Sequence, residues 1–312
     1  MKGIELAEKF YTEYGAPMLR ESFPQLEGLI AVGIAGSGSE CLGYDDEISQ
    51  DHDFEAGFCI FLPDESLVDR KTEFALERAY SKLPSEFMGY KRPRLSPVGG
   101  NRHGVIRISD FLESKTGKRD GFLSLEEWFL VPEQSLLEAT DGKIFCDQLG
   151  IISKARKRLS YLPEDARLKK LAGELLMMGQ TGQYNYARCA EREDGGAAQL
   201  VLAEFVKSTI HAVCLLEKRY MPYYKWSFRA LRESAVFSFA DRLEYLMSNP
   251  NTRDEAEKKQ KIIESVCAEV IAELKIQELS NVASNETEAH AYAVNSKIED
   301  PTLRNLHILY GV

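Results

Sequence analysis

The sequence predicts an α+β protein whose first part alternates short strands with helices and whose second part is helical throughout. Three observations carry this. Four short runs in residues 1–150, LIAVGIAG (29–36), FEAGFCIFLP (54–63), GVIRIS (104–109) and KIFCD (143–147), are apolar or alternating, as buried strands are. The stretches between them repeat apolar positions near a helical period. From about residue 151 the strand patterns vanish and long apolar stripes take over. A length of 312 residues suits two structural units, and the change of pattern divides them into 1–150 and 151–312.

Each element follows in order. Ile4, Leu6, Ala7, Phe10, Tyr11 and Tyr14 predict an opening helix, with Pro17 and Pro24 bracketing its exit. Strands are expected at 29–36 and from Phe54 to Pro63, and a charged amphipathic helix from there to about Leu83. GVIRIS reads as a third strand. WFLVPEQSLLEATDGKIFCDQLG predicts a short helix broken at Pro132, a second helix, and a strand led by Gly142. In the second half RLKKLAGELLMM (167–178), AAQLVLAEFVKSTIHAVCLLEKRY (197–220) and about Arg253 to Leu279 read as helices of a bundle.

Charge narrows the function. The chain carries a formal −10, and residues 1–150 hold 16 basic against 27 acidic residues, whereas the remainder holds 23 and 22. This argues against a nucleic-acid partner, which clustered Lys and Arg would serve. Six cysteines without a CxxC pair are expected to be reduced, and Glu5, Glu8, Lys9 and Glu13 occupy the place of a signal peptide's apolar core, so a cytoplasmic protein is expected. The longest clean apolar run, Leu29 to Ala35, is far short of the roughly 20 residues of a membrane span, so no membrane association is expected.

The chemistry concentrates in GSGSECLGYDDEISQDHDF (36–54). Gly36, Gly38 and Ser39 suit a tight turn whose amide N–H groups, with the N-terminus of a following short helix, form an anion site for phosphate oxygens. Asp51 and Asp53, two apart at a strand entrance, face the same way and are held more easily with a hard cation such as Mg²⁺ between them. An ordinary strand-to-helix turn and an exposed Asp pair are the plainer alternatives. Asp45, Asp46 and Glu47 read as a solvated acidic turn. His52 reads as a structural histidine, and the five histidines show no HxxxH or HxH pairing for a metal.

Taken together, strand, Gly-Ser turn, Gly43, Ser49 and DxD resemble the signature of the polymerase-beta-like nucleotidyltransferase superfamily, filled here by Gly38, Ser39, Gly43, Ser49, Asp51 and Asp53. Gln50 is inserted between Ser49 and Asp51, and His52 stands where that pattern has an apolar residue. LGYDDEISQDHDF, HGV (103–105), EWFLVPEQSLLEATDGKIFCD (127–147), GQYNYAR (182–188) and PYYKWSFRAL (222–231) are similar to a bacterial family called domain of unknown function 4037. The superfamily resemblance implies a nucleotidyltransferase-type mixed sheet, with a helical second domain like that of aminoglycoside nucleotidyltransferases.

It also implies a reaction: transfer of a nucleoside monophosphate from a nucleoside triphosphate to a hydroxyl of a small molecule or protein, releasing pyrophosphate. Asp51 and Asp53 would hold one or two Mg²⁺, and Gly38 and Ser39 the distal phosphates. A third carboxylate is expected on a later strand. Asp110, at the end of GVIRISD, is the first candidate, with Asp141 and Asp147 behind it. Lys225 and Arg229, set among Tyr223, Tyr224, Trp226 and Phe228, could bring cations to the triphosphate, or that segment could be a Pro222-initiated helix whose aromatics fill a core. Tyr184 and Arg188 are secondary candidates. The alternatives to an enzyme are a non-catalytic nucleotide-binding or regulatory module, and a toxin-antitoxin-type partner on the same fold.

Overall fold

The computed structural model describes residues 1–50, 54–92 and 102–312. The chain divides into two compact units, Met1–Ser124 with Val131–Ser160, and Leu125–Leu130 with Tyr161–Val312. It is a mixed α+β protein.

In chain order the elements are α1 (Gly3–Phe10), a π-helical turn (Tyr11–Gly15), α2 (Ala16–Ser22), β1 (Ala31–Ile34), β2 (Cys59–Leu62), α3 (Arg70–Ser81), β3 (Glu86–Phe87), β4 (Tyr90–Lys91), β5 (Gly104–Arg107), α4 (Ile108–Thr116), α5 (Glu127–Leu130), α6 (Glu133–Thr140), β6 (Lys143–Asp147) and α7 (Ile151–Arg158). Of these, α5 belongs to the second unit. All four residues of β1 and of β2 are buried, which is why their sequences read as unbroken apolar runs. Among the described residues the main sheet has the order β5-β2-β1-β6. β1 is antiparallel to both β2 and β6, while β2 and β5 are parallel, joined by the segment that carries α3.

A register shift between Val32 and Gly33 marks an irregularity on β1, and a side chain at Gly33 would meet the Ile144 Cα at 2.8 Å, so glycine is required there. The core on one face of the sheet gathers Leu6 and Phe10 of α1, Val32, Phe58, Ile60, Leu62, and Leu76 and Tyr80 of α3. Each such buried side chain contributes about 1.5–3 kcal/mol of burial. Tyr80 pins the entry to β2, its hydroxyl donating to the Phe58 carbonyl at 2.8 Å and accepting the Phe58 N–H at 3.1 Å. The expected strand from Phe54 therefore begins only at Cys59.

The second unit continues with α8 (Glu164–Met178), a π-helical turn (Gly179–Asn185), α9 (Tyr186–Glu191), α10 (Gly195–Leu216), α11 (Tyr224–Arg232), α12 (Ala240–Ser248), α13 (Arg253–Ile276), α14 (Thr287–Ser296) and α15 (Pro301–Asn305). Every regular element described in it is helical. α8 packs against both α10 and α14. Two buried lysines tie segments of this unit together: Lys169 of α8 donates to the Leu306 carbonyl at 2.8 Å, and Lys259 of α13 to those of Leu246 and Asn249 at 3.0 and 2.7 Å. By length and composition α10 could cross a membrane, although Gln199, Glu204 and Lys207 interrupt its apolar run. In the fold 61% of its apolar window is buried, as for a core helix.

Candidate functional site

Strand pairing brings four chain segments of the first unit to one end of the sheet. Gly33 pairs with Cys59, so the Gly36–Ser39 turn beyond β1 lies beside the 54–58 approach to β2. Cys59 pairs with Gly104, which brings Arg102 and His103 to that end, and Ile34 pairs with Lys143, which brings Asp141 and Gly142. The turn itself is non-helical. Gly36, Gly38 and Gly43 have φ of +115°, +146° and +71°, conformations that suit glycine. Backbone bonds from Cys41 to Gly38, Gly43 to Glu40 and Tyr44 to Ser39 close it as successive turns.

No helix follows at 39–43, contrary to the sequence expectation, because those left-handed glycines interrupt helical geometry. The first helical residues are the 3₁₀ turn Ile48–Gln50. The anion site is thus reduced to an elbow of turns, in which Ser37 is exposed and Gly38 and Ser39 are half-buried.

Over the elbow lies an ion pair that sequence reading did not single out. Arg102 pairs with Glu40, and its Nη2 donates to the Ser37 carbonyl at 2.9 Å. A side chain at Gly38 would overlap the Arg102 guanidinium and come within 2.6 Å of the Glu40 carboxylate. Beside it, buried His103 bonds Glu55 through Nδ1 at 2.7 Å, and the His103 ring fills the space a side chain at Gly57 would need. A signal for Arg102 existed in the sequence. Strands joined through a helix commonly run parallel, so the residues preceding both strands share one end.

Asp141 is the perturbed acid of this end. Burial pushes its carboxyl up to about 6, against the pull of the Arg156 guanidinium. Arg156 itself donates to the carbonyls of Ala139, Thr140, Asp141 and Gly142, fixing the lead into β6. The thiols here are poor nucleophiles: burial raises Cys41 and pushes Cys59 up to about 12. Among the described residues all six cysteines are free.

The other sequence candidates fall as follows. Asp51 and Asp53, with His52, lie outside the described residues. Asp110 is not at a strand end beside the elbow. It occupies the first turn of α4, beyond Arg107, which pairs with Leu62 at the opposite end of the sheet. Its half-exposed carboxylate bonds Arg119 at 2.7 Å. The helix begins at Ile108, which the alternating pattern had continued as strand. Asp147 shares that far end and accepts the Gly150 and Ser153 N–H groups at 2.8 and 2.9 Å, a capping role at α7.

Asp45 is buried rather than solvated, accepting the Gly3 N–H at 2.9 Å and pairing with Lys2 at 3.3 Å. Ser49 is tied to Asp46 by reciprocal bonds, including Ser49 N–H to Asp46 Oδ1 at 2.9 Å. In the second unit Lys225 is exposed on α11, 5.1 Å from the Trp226 ring centroid, and Tyr223 and Tyr224 are exposed rather than filling a core. Arg188 stacks over Tyr184 at 3.8 Å.

Among the described residues no three His, Cys, Asp or Glu side chains gather as a metal cluster; Asp51 and Asp53, the metal ligands expected from the sequence, lie outside them. Hard carboxylates of that kind fit Mg²⁺. A cavity of about 200 Å³ opens elsewhere, between α2 and the start of β1. Its lining mixes apolar side chains, Leu19, Phe23, Leu26 and Ile30 among them, with the polar Arg20, Glu27 and Gln148, and it sits at the far end of β1 from the elbow.

Residues 128–227 match the family described as "Domain of unknown function (DUF4037)". The matched stretch holds Asp141, Arg156 and Lys225 and stops short of the elbow, which therefore rests on its own residues. No curated protein matches the chain.

Proposed function

We propose that the first unit is an Mg²⁺-dependent nucleotidyltransferase. It takes a nucleoside triphosphate, places the terminal phosphates at the Gly38–Ser39 elbow, and transfers the nucleoside monophosphate to a hydroxyl of a small molecule or protein. The fold would then be of nucleotidyltransferase type, and the second unit a helical bundle like that of aminoglycoside nucleotidyltransferases. The supporting observation is the convergence, at one end of one sheet, of a glycine elbow, the Arg102–Glu40 ion pair and Asp141, whose carboxyl burial raises to about 6.

Asp51 and Asp53 would hold Mg²⁺, which when bound supplies charge neutralisation on the phosphate oxygens. The chain's own groups do the rest. Elbow N–H groups orient the phosphates in line. Asp141 replaces Asp110 as the proposed third carboxylate: as general base it takes the acceptor hydroxyl's proton while the new O–P bond forms at the α-phosphorus and the bond to pyrophosphate breaks. Pyrophosphate leaves with that electron pair.

The test is pyrophosphate release from each of the four ribonucleoside triphosphates with Mg²⁺ and a panel of hydroxyl acceptors. Turnover is expected in the wild type, abolished in the Asp51→Asn, Asp53→Asn double variant, and reduced at least ~10²-fold in Asp141→Asn. A second reading, a nucleotide-binding module without turnover, is favoured by one observation: Asp110 sits at the wrong end of the sheet to serve as base. Tight triphosphate binding with no turnover, unaltered by Asp141→Asn, would decide for that reading.

A further inference from the structure

We propose that the cavity between α2 and the start of β1 binds a free α-amino acid with an apolar side chain, its carboxylate at Arg20 and its ammonium at Glu27. The side chain lies against Leu19, Phe23, Leu26 and Ile30. This site is at the far end of β1 from the elbow and does not depend on the nucleotide reading.

The local sequence makes the cavity. Pro24 ends α2 and opens a 3₁₀ turn, Pro24–Leu26, in which the Leu26 N–H donates to the Phe23 carbonyl at 2.9 Å and the Leu29 N–H to that of Leu26 at 3.0 Å. The reversal brings Glu27, beyond the turn, to the same space as Arg20 on α2. The wall is apolar: Phe23, Leu26 and Ile30 are buried and Leu19 is half-buried. Its volume of about 200 Å³ exceeds the roughly 150 Å³ that admits a benzene ring, so one branched or aromatic side chain fits.

The charges at the mouth call for a ligand that carries both signs. Arg20 and Glu27 are exposed, and among the described residues neither side chain makes a hydrogen bond or an ion pair, with each other or with any other group. An α-amino acid holds a carboxylate and an ammonium on one carbon, beside its side chain, and so bridges two opposite charges that do not meet. The planar guanidinium fork matches the carboxylate, and the Glu27 carboxylate accepts from the ammonium. Gln148 adds an amide at the rim: its Oε1 lies 2.7 Å from where a side chain at Gly28 would begin, and Gly28, at φ +78°, leaves that place bare.

A second observation falls on the same cavity. Tyr11, on its lining, opens the π-helical turn Tyr11–Gly15, an irregularity that in helices frequently accompanies functional sites. The Tyr11 hydroxyl shares a hydrogen bond of 3.5 Å with the Cys146 Sγ. Burial raises that hydroxyl's pKa and the Arg20 charge acts against the shift, so the guanidinium reaches over the same space as the ring.

The experiment measures binding of L-leucine and L-phenylalanine by calorimetry to the wild type, Arg20→Gln and Glu27→Gln, with thermal melts confirming the fold of each. Wild-type dissociation constants of about 1 mM or tighter, raised at least ~10-fold in each variant, are expected. 4-Methylpentanoate, which is leucine without its ammonium, should bind at least ~10-fold more weakly than leucine and equally to wild type and Glu27→Gln. L-Leucinamide, which lacks the carboxylate, should likewise not distinguish wild type from Arg20→Gln. Glycine should bind at least ~10-fold more weakly than leucine, because it leaves the apolar wall uncovered.

No binding of either amino acid at about 10 mM would overturn the proposal. Unchanged leucine affinity in either variant would overturn the contact given to that residue, and unchanged affinity in both would reject the site. 4-Methylpentanoate binding as tightly as leucine would make the ligand a plain carboxylate, against the role of Glu27. Equal affinity for glycine and leucine would overturn the part given to the apolar wall.

Discussion

Two arginines five positions apart, Arg102 and Arg107, stand at opposite ends of β5 and show how differently one sheet treats the same side chain. Arg107 is 3% exposed and fully committed: it bonds Glu73 through Nε at 3.0 Å and Nη2 at 2.6 Å, and donates to the carbonyls of Pro63 and Val68. Those partners are the exit of β2 and the approach to and first turns of α3, so Arg107 staples strand to helix. Arg102 is 24% exposed, and its contacts include the Ser37 carbonyl and the Glu40 carboxylate. The far end uses Arg107 and Asp147 for main-chain closure, as the elbow end uses Arg156, while Arg102 and Glu40 pair over the turn. Burial among main-chain partners marks Arg107 as a structural charge, whereas Arg102 is more exposed and lies over a glycine whose side chain would overlap it.

The strongest way to break this contrast is to truncate both arginines. Arg107→Ala leaves Glu73 and two buried carbonyls without their donor, and should cost about 3–5 kcal/mol of unfolding free energy in urea titrations. Arg102→Gln should cost less, about 1–3 kcal/mol, because glutamine keeps a donor for the buried Glu40 carboxylate while removing its counter-charge. Comparable losses at the two sites would mean that both ends are structural.

Asp141 gives the next largest effect, and its sign is fixed by its cause. Burial raises the folded-state carboxyl to about 6, above the roughly 3.9 of an unfolded aspartate, so the folded protein holds this proton more tightly. Its contribution to stability is therefore full below about pH 4, declines as pH rises through about 6, and is flat beyond. The whole decline is of order 1–3 kcal/mol. Asp141→Asn should abolish it. The check is unfolding free energy of the two proteins at pH 4.5 and 7.5, where the variant should gain on the wild type with rising pH.

Two buried tyrosines extend the contrast to hydroxyls. Tyr80→Phe removes both bonds to Phe58 and leaves its buried N–H unpaired at the entrance to β2, a loss of about 1–3 kcal/mol. The Tyr186 hydroxyl is buried with no hydrogen bond among the described residues, so Tyr186→Phe should be neutral or slightly stabilising. Melting temperatures of the pair suffice to separate them.

What the sequence disclosed follows from what each feature depends on. Elements written by period were legible: β1 and β2 as apolar runs, α3 as an amphipathic stripe, α6 and β6 on either side of Asp141. Features that depend on pairing partners were not. Arg102 and Glu40 are 62 residues apart, and the antiparallel register of β1 with β2 and the parallel register of β2 with β5 together bring them to one end. Asp45 looked solvated because its neighbours Asp46 and Glu47 are exposed, yet the N-terminus of α1 buries it. At the end of β5 the alternation GVIRIS ran on into Ile108, which hid the switch to helix that carries Asp110 away from the elbow.

Asp110 supplies the smallest expected effect and a sharp check on the division of the sheet. Its carboxylate is 45% exposed and its partner Arg119 is 56% exposed, so solvent screens the pair and Asp110→Asn should change stability by less than about 0.5 kcal/mol. Arg119 also keeps its bond to Glu113 at 2.8 Å in that variant. Triphosphate binding and pyrophosphate release should both stay at wild-type values, because the whole length of β5 separates Asp110 from the elbow. A tenfold fall in either rate or affinity would show that the far end of the sheet takes part in the chemistry, and would return Asp110 to the place that Asp141 now holds.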